Sequence, residues 1–184
     1  ATAEGTWNTT FSIPASPGGS HSIKASGSTT LSFNVPELTF FVNASMTINR
    51  GTGTTKTSVT VSGSGFGSSE TGITVTFDGT PIATSISADA KGTWNATFNI
   101  PPSTLGSHSI RAFGSTASLG SVAEVGFVTQ GGIELSRSTG APGNSVTING
   151  SGFQVNESGI TVTYDGTMAA LGIWKAYFLE PIMF

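Results

Sequence analysis

The stretch GTWNATFNIPPSTLGSHSI occupies residues 92–110, and residues 5–23 read GTWNTTFSIPASPGGSHSI. Moving residues 1–30 forward by 87 positions gives 20 identities in 30 without a gap. Moving residues 52–80 by the same offset gives 18 identities in 29. Similarity at a fixed spacing is typical of chains built from repeated structural units that fold alike. The sequence therefore predicts a tandem array of units with an 87-residue period.

The offset divides the chain into three parts. We predict that residues 1–34 are the C-terminal part of one unit, residues 35–121 a complete unit, and residues 122–184 an incomplete or shortened unit. The offset falls to 80 where GIWKAYFLEP, residues 172–181, aligns with GTWNATFNIP, residues 92–101, so seven residues are missing after Thr167. A naturally shortened unit and an altered C-terminal reading frame both explain this change of register.

Apolar and polar residues alternate along most of the complete unit. Ile73, Val75 and Phe77 share one face of GITVTFDG, as expected for a half-buried strand, and Asp-Gly and Pro-Pro turn signals separate such runs. Seven strands are predicted, at residues 46–49, 58–62, 73–77, 82–87, 93–100, 108–113 and 118–128. This pattern predicts an all-β fold of tandem immunoglobulin-like β-sandwich repeats. The predicted core residues are Trp7, Trp94, Trp174, Phe77 and Phe98.

Composition excludes several classes of function. Charged residues make up only 9 % of the chain and the formal net charge is −3, with no basic cluster, so nucleic acid is not an expected partner. No run of 18 apolar residues occurs, so no membrane span is expected in this sequence. Cysteine is absent, which excludes disulfides and thiolate metal sites.

The later copy reads TGAPGNSVTINGSGF followed by ITVTYDGT, and it resembles the IPT/TIG immunoglobulin-like module. That family's pattern is a Gly-Pro-x-Gly turn, a Val-Thr-Ile/Val strand, Gly-x-Gly-Phe and a strand that ends in a glycine turn. The earlier copy departs from it, because Thr55 and Lys56 replace Pro142 and Gly143. The resemblance implies extracellular, multi-copy modules of large prokaryotic surface proteins, used as stalks, adhesins or accessory domains. It implies no catalytic residues.

The residues that could carry chemistry are few, and each has a structural explanation. His21 and His108 occupy the same repeat position, which favours a hydrogen-bonded residue at the beginning of a strand over a catalytic base. Asp78 and Asp165 lie in Asp-Gly turns. A surface Ca²⁺ site that combines them with Glu70 or Glu157 is the alternative. No catalytic, cofactor or metal site is predicted, and we expect the protein not to be an enzyme.

Surface positions complete these predictions. Five Asn-x-Ser/Thr sequons mark possible glycosylation sites at Asn8, Asn43, Asn95, Asn149 and Asn156. Three consecutive apolar residues in the segment Phe40–Val42 cannot all face one core, so Phe40, Phe41 and the later Phe127 are predicted to contact a neighbouring unit.

Three functions remain open from the sequence. The first is a non-enzymatic extracellular structural array on a cell surface, of the stalk or adhesin type. The second is a filament subunit, in which residues 1–34 of one chain complete residues 122–184 of the next by strand complementation. In that arrangement residues 5–14 and 172–181 compete for one position. The third is a carbohydrate- or partner-binding module that uses Phe113, Phe40 or Phe41 to stack on its ligand.

Overall fold

The structure is a computed structural model, which describes residues 1–171. These residues form β-strands and one short 3-10 turn, Ser32–Asn34. The strands are β1 (Gly19–Ile23), β2 (Leu38–Val42), β3 (Ser45–Ile48), β4 (Thr52–Gly53), β5 (Ser58–Ser64), β6 (Ile73–Phe77), β7 (Thr80–Ile86), β8 (Trp94–Asn99), β9 (Gly106–Phe113), β10 (Val125–Thr129), β11 (Gly132–Leu135), β12 (Ile148–Ser151), β13 (Thr161–Tyr164) and β14 (Thr167–Leu171).

Strands β3 to β10 form a sandwich of two sheets, which we call the central sandwich. One sheet has the order β3-β5-β8, and the other has the order β4-β10-β9-β6-β7. Alternate residues of β5 and β8 face those of β6 and β9, as the period-2 pattern predicts. The buried core therefore contains Phe77, Trp94 and Phe98 from the predicted set.

The indole of Trp94 lies at the centre of this core. Its ring contacts Phe66 edge to face, with centroids 5.3 Å apart and an interplanar angle of 88°. The backbone of Gly63 lies directly against the ring, and any Cβ at that position would overlap it. The glycine of SVTVSGSGF is thus required by the close approach of β5 to the ring on β8.

The strand pairings place the unit boundary later than the predicted one. β10 pairs antiparallel with β9, so the central sandwich extends to Thr129, beyond the boundary predicted at residue 121. β2 pairs instead with β1, which places residues up to Val42 with the preceding segment. A two-residue strand that the alternation did not predict, β4, joins β10 in parallel at the edge.

Segments on both sides of the central sandwich repeat its pairings at the same offset. β1 pairs with β2 in the register of β9 with β10, since Gly19↔Val42 corresponds to Gly106↔Thr129. β11 pairs with β12 in the register of β3 with β5, since Gly132↔Ser151 corresponds to Ser45↔Ser64. β13 and β14 repeat the irregular register of β6 and β7. Each flanking segment therefore repeats part of the strand pairing of the central sandwich.

The structure corrects the prediction that Trp7 lies in a core. Its side chain is 62 % exposed, whereas that of Trp94 is 3 % exposed. Residues 5–14, which the offset aligns with the predicted strand at residues 93–100, form no strand in the described secondary structure. Both differences have the same physical reason. In the central sandwich β8, the strand that begins at Trp94, pairs with β5, and no segment of residues 1–44 is equivalent to β5. The third predicted core tryptophan, Trp174, lies outside the described residues.

Candidate functional site

The turn after β6 brings Asp78 to the side chain of His108 on β9. Asp78 and Gly79 both have positive φ, 49° and 82°, as a tight Asp-Gly hairpin turn requires. His108 Nδ1 donates to Asp78 Oδ2 at 2.6 Å, and Nε2 donates to the carbonyl of Thr104 at 2.9 Å. Asp78 Oδ1 also accepts from the backbone N–H of Ser109 at 2.9 Å. The predicted turn and strand-end residues therefore meet in one cluster.

This cluster favours the charged forms of both side chains. Burial disfavours the imidazolium, but hydrogen bonds to the Asp78 carboxylate and the Thr104 carbonyl outweigh it and raise the pKa of His108 above 6.5. Burial likewise opposes ionisation of Asp78, while hydrogen bonds from Ser109 and His108 hold its pKa below 3.8. Because both ring nitrogens face acceptors, a neutral imidazole would lose one of the two bonds. The ring also stacks on Phe77, with centroids 4.9 Å apart.

The equivalent residues in the flanking segments are separated. His21 makes the same bond to the backbone, from Nε2 to the Pro17 carbonyl at 2.8 Å. Asp165 sits in the same turn with φ of 48°. Within residues 1–171 no ion pair joins either of them to another side chain. His21 and Asp165 therefore correspond to His108 and Asp78 of the central sandwich, but they do not form an ion pair with each other.

A buried carboxylate, that of Glu70, ties together two loops at the opposite end of β6. Its oxygens accept from the N–H of Gly67 at 2.7 Å, the N–H of Thr116 at 2.7 Å, the Thr116 hydroxyl and the Ser115 hydroxyl. Burial raises its pKa, but these donors outweigh burial and hold it below 4.5. Sequence reasoning considered this residue only as a calcium ligand. Its recurrence as Glu157 was the available signal for a structural role.

The residues considered for an alternative Ca²⁺ site do not form a metal centre in the part of the chain that the structure describes. Residues 1–171 contain no group of three or more histidine, aspartate and glutamate side chains placed to hold an ion. Glu70 and Asp78 lie at opposite ends of β6 and each is satisfied by protein donors. Among the same residues, no helix has the length and apolar character that crossing a membrane requires.

All five sequon asparagines lie in exposed positions. The Asn95 side chain accepts a hydrogen bond from the Ser62 hydroxyl at 2.6 Å on the outer face of the sheet. Modification of these residues remains a prediction.

The structure corrects the assignment of Phe127 as a contact between units, because this side chain is fully buried in the central sandwich. Its counterpart Phe40 points the same way from β2 but is 39 % exposed, since its segment lacks an opposing sheet. Phe41 points to the other side and is exposed. Phe113, the other proposed stacking residue, is half-buried.

Two open grooves lie on the surface of the N-terminal segment, residues 1–42. One is bordered by Phe40, Phe41, Ile13 and Gly65, and the other by Phe11, Phe40 and His21. The equivalent residues of the central sandwich, 87 positions later, include Phe98, Ile100 and Phe127, and these three are buried. The grooves thus lie on the face of this segment that is equivalent to the inner face of the central sandwich.

The two junctions between units use the same hydrogen bond. The N–H of Gly18 donates to the Phe66 carbonyl at 2.9 Å, and the N–H of Leu105 donates to the Phe153 carbonyl at 3.4 Å. The members of these two pairs are related by the offset of 87 residues. The second junction also holds an ion pair from Lys56 Nζ to Glu134 Oε2 at 2.6 Å.

Comparison with known proteins assigns the central part of the chain. No curated protein and no solved structure matches the chain significantly. The sequence model of the IPT/TIG domain matches residues 42–128, which coincide with strands β3 to β10. IPT/TIG domains have an immunoglobulin-like fold and belong to a non-catalytic family. Residues 42–128 of this chain therefore match the IPT/TIG family model and have its immunoglobulin-like fold.

Proposed function

We propose that this protein is a non-enzymatic, extracellular structural array of immunoglobulin-like modules, of the kind that forms stalks or adhesins on a cell surface. The observation that carries this proposal is the repeated junction. The bond from Gly18 to Phe66 recurs between Leu105 and Phe153. A bond that recurs at both junctions supports a fixed relation between successive modules, and a short joint without a flexible Gly/Ser tract favours a semi-rigid rod.

A distance measurement across the second junction tests this proposal. The chain has no cysteine, so spin labels attach only where a cysteine is introduced. Labels at Asn99→Cys and Asn149→Cys, both exposed, report on the two modules. We expect a narrow distance distribution that broadens with Leu105→Pro, which removes the donor N–H, and stays narrow with Leu105→Ala. A distribution already broad in the labelled parent would contradict a semi-rigid array.

Surface localisation has a separate test. Antibodies raised against the purified chain should label intact cells of the source organism. Labelling that requires permeabilised cells would contradict the extracellular assignment.

The alternative, a carbohydrate-binding module, is favoured by the exposed ring of Phe41 beside an open groove. A glycan array separates the two functions. Binding to a defined sugar class that Phe41→Ser abolishes would favour recognition over a purely structural role. Absence of binding across the array supports the structural array.

A further inference from the structure

The junction that follows the central sandwich holds an ion pair whose two members are not repeated at the offset. Lys56 Nζ, in the turn between β4 and β5, lies 2.6 Å from Glu134 Oε2 on β11. Their counterparts 87 positions away are Gly143 and Thr47, neither of which carries a charge. We infer that this ion pair fixes the orientation of the following module, residues 130–171, on the central sandwich. The inference deepens the proposed structural array and rests on it.

The backbone of Lys56 adopts a conformation that favours glycine. Its φ is 66°, in the left-handed region, where Gly143 in the equivalent turn has φ of 88°. Residues other than glycine are strained in this region, and such strain is found where a side chain has a role of its own. Because glycine meets the requirement of the turn, the lysine is explained by its side chain, whose ammonium group donates to the Glu134 carboxylate.

The turn that carries Lys56 packs directly against β11. A Cβ at Gly132, the first residue of β11, would lie 2.9 Å from the Cγ2 methyl of Thr54. The counterpart of Gly132 is Ser45, so this close approach also depends on a residue that the offset does not repeat. Gly132 and Glu134 are two positions apart on the strand and therefore lie on the same side of it. The packing contact and the ion pair thus occupy one side of β11.

The hydrogen bond that both junctions share is longer at this one. The nitrogen of Leu105 is 3.4 Å from the carbonyl oxygen of Phe153, whereas that of Gly18 is 2.9 Å from the carbonyl oxygen of Phe66. A Cβ at Gly18 would overlap the carbonyl oxygen of Gly65, so the closer contact requires glycine. Leucine in the same position leaves a weaker backbone contact, and the ion pair supplies a second attachment between the modules.

The exposure of this ion pair makes the junction sensitive to ionic strength. The side chains of Lys56 and Glu134 are 68 % and 56 % exposed. Exposed ion pairs shift equilibria by up to about fivefold and are weakened by added salt. We therefore expect the orientation of the two modules to be best defined at low ionic strength and to become less defined as salt is added.

Charge reversal across the junction tests the inference. Spin labels at Thr97→Cys and Thr163→Cys report on the two modules from exposed positions that are not paired with Lys56 or Glu134. We expect Lys56→Glu and Glu134→Lys each to broaden the distance distribution, because like charges then face one another. The double variant Lys56→Glu with Glu134→Lys should restore the parent distribution. About 1 M sodium chloride, where the Debye length is about 3 Å, should broaden the parent towards the single variants.

A matched control separates the ion pair from net charge. Lys91→Glu makes the same change of charge at another exposed lysine of the central sandwich, one that forms no ion pair among the described residues. We expect it to leave the distribution unchanged. Single variants that match this control, or a double variant no closer to the parent than the single variants, would overturn the inference.

Lys56→Gly separates the orienting role from a purely structural one. Glycine adopts the left-handed conformation without strain, so the urea midpoint of the central sandwich should not fall below that of the parent. The fraction of molecules outside the parent distance peak should nevertheless rise, by up to about fivefold. An unchanged distribution in Lys56→Gly would overturn the inference. A narrow distribution that ignores these charges leaves the proposed array standing, whereas a distribution that is broad in the labelled parent contradicts the array itself.

Discussion

At the scale of single residues, the Trp94 ring lies directly against Gly63, its partner on the neighbouring strand β5. We expect Gly63→Ala to lower the free energy of unfolding of the central sandwich by about 2–3 kcal/mol, because the methyl group displaces a ring packed on all sides. Urea denaturation followed by tryptophan fluorescence measures this change. Gly126→Ala, at a β10 position with open space around a new Cβ, should change stability by less than about 0.5 kcal/mol. Equal effects would show that the ring tolerates the methyl group.

The pair of Asp78 and His108 makes stability depend on pH. The raised pKa of His108 gives a contribution that is complete below pH 6.5 and is lost as pH rises through the folded-state value. The lowered pKa of Asp78 gives a contribution present above pH 3.8 and lost as pH falls through its folded-state value. The pair is therefore most stabilising between these limits. We expect Asp78→Asn to lower the NMR titration midpoint of His108, and Asp165→Asn to leave it unchanged.

At the scale of elements, Glu70 fixes the loop that enters β6 to the loop that leaves β9. We expect Glu70→Gln to lower the free energy of unfolding by about 1–3 kcal/mol. The NH₂ group of the glutamine side chain would face N–H groups that now donate to the carboxylate, in a buried site. The loss should be measured near pH 7, where the carboxylate is ionised, and should shrink as pH falls through the lowered pKa of Glu70. Glu157→Gln is the matched control, with an expected change below about 0.5 kcal/mol. A similar loss in both variants would contradict the assigned role.

Element prediction succeeded where period-2 alternation ran for five or more residues, as in Ile73–Phe77 and Ser58–Ser64. It failed for β4, because two residues are too short to alternate.

The departure from the family pattern at Lys56 left the backbone conformation of the turn unchanged. Lys56 has φ of 66° where Gly143 has 88°, so the turn keeps a left-handed residue with either side chain.

The site was less predictable than the fold, for a physical reason. Alternation assigns Trp7 and Trp94 to the same kind of face, but only the presence of an opposing sheet decides whether that face is buried. Likewise, the pairing of Asp78 with His108 depends on β6 lying beside β9, which no local pattern encodes. Sequence therefore identified which residues face inwards, and the pairing of strands determined which of them have a partner.

At the scale of the whole molecule, stability should be concentrated in the central sandwich. The fully buried apolar side chains of residues 1–170 all lie between Met46 and Phe127, so opening of the flanking hairpins exposes little additional core. In dilute solution we expect backbone amides of β13, β14 and residues 1–18 to exchange with deuterium at least about 100-fold faster than those of β5, β6 and β9. Uniform slow exchange in dilute solution would contradict this distribution of stability.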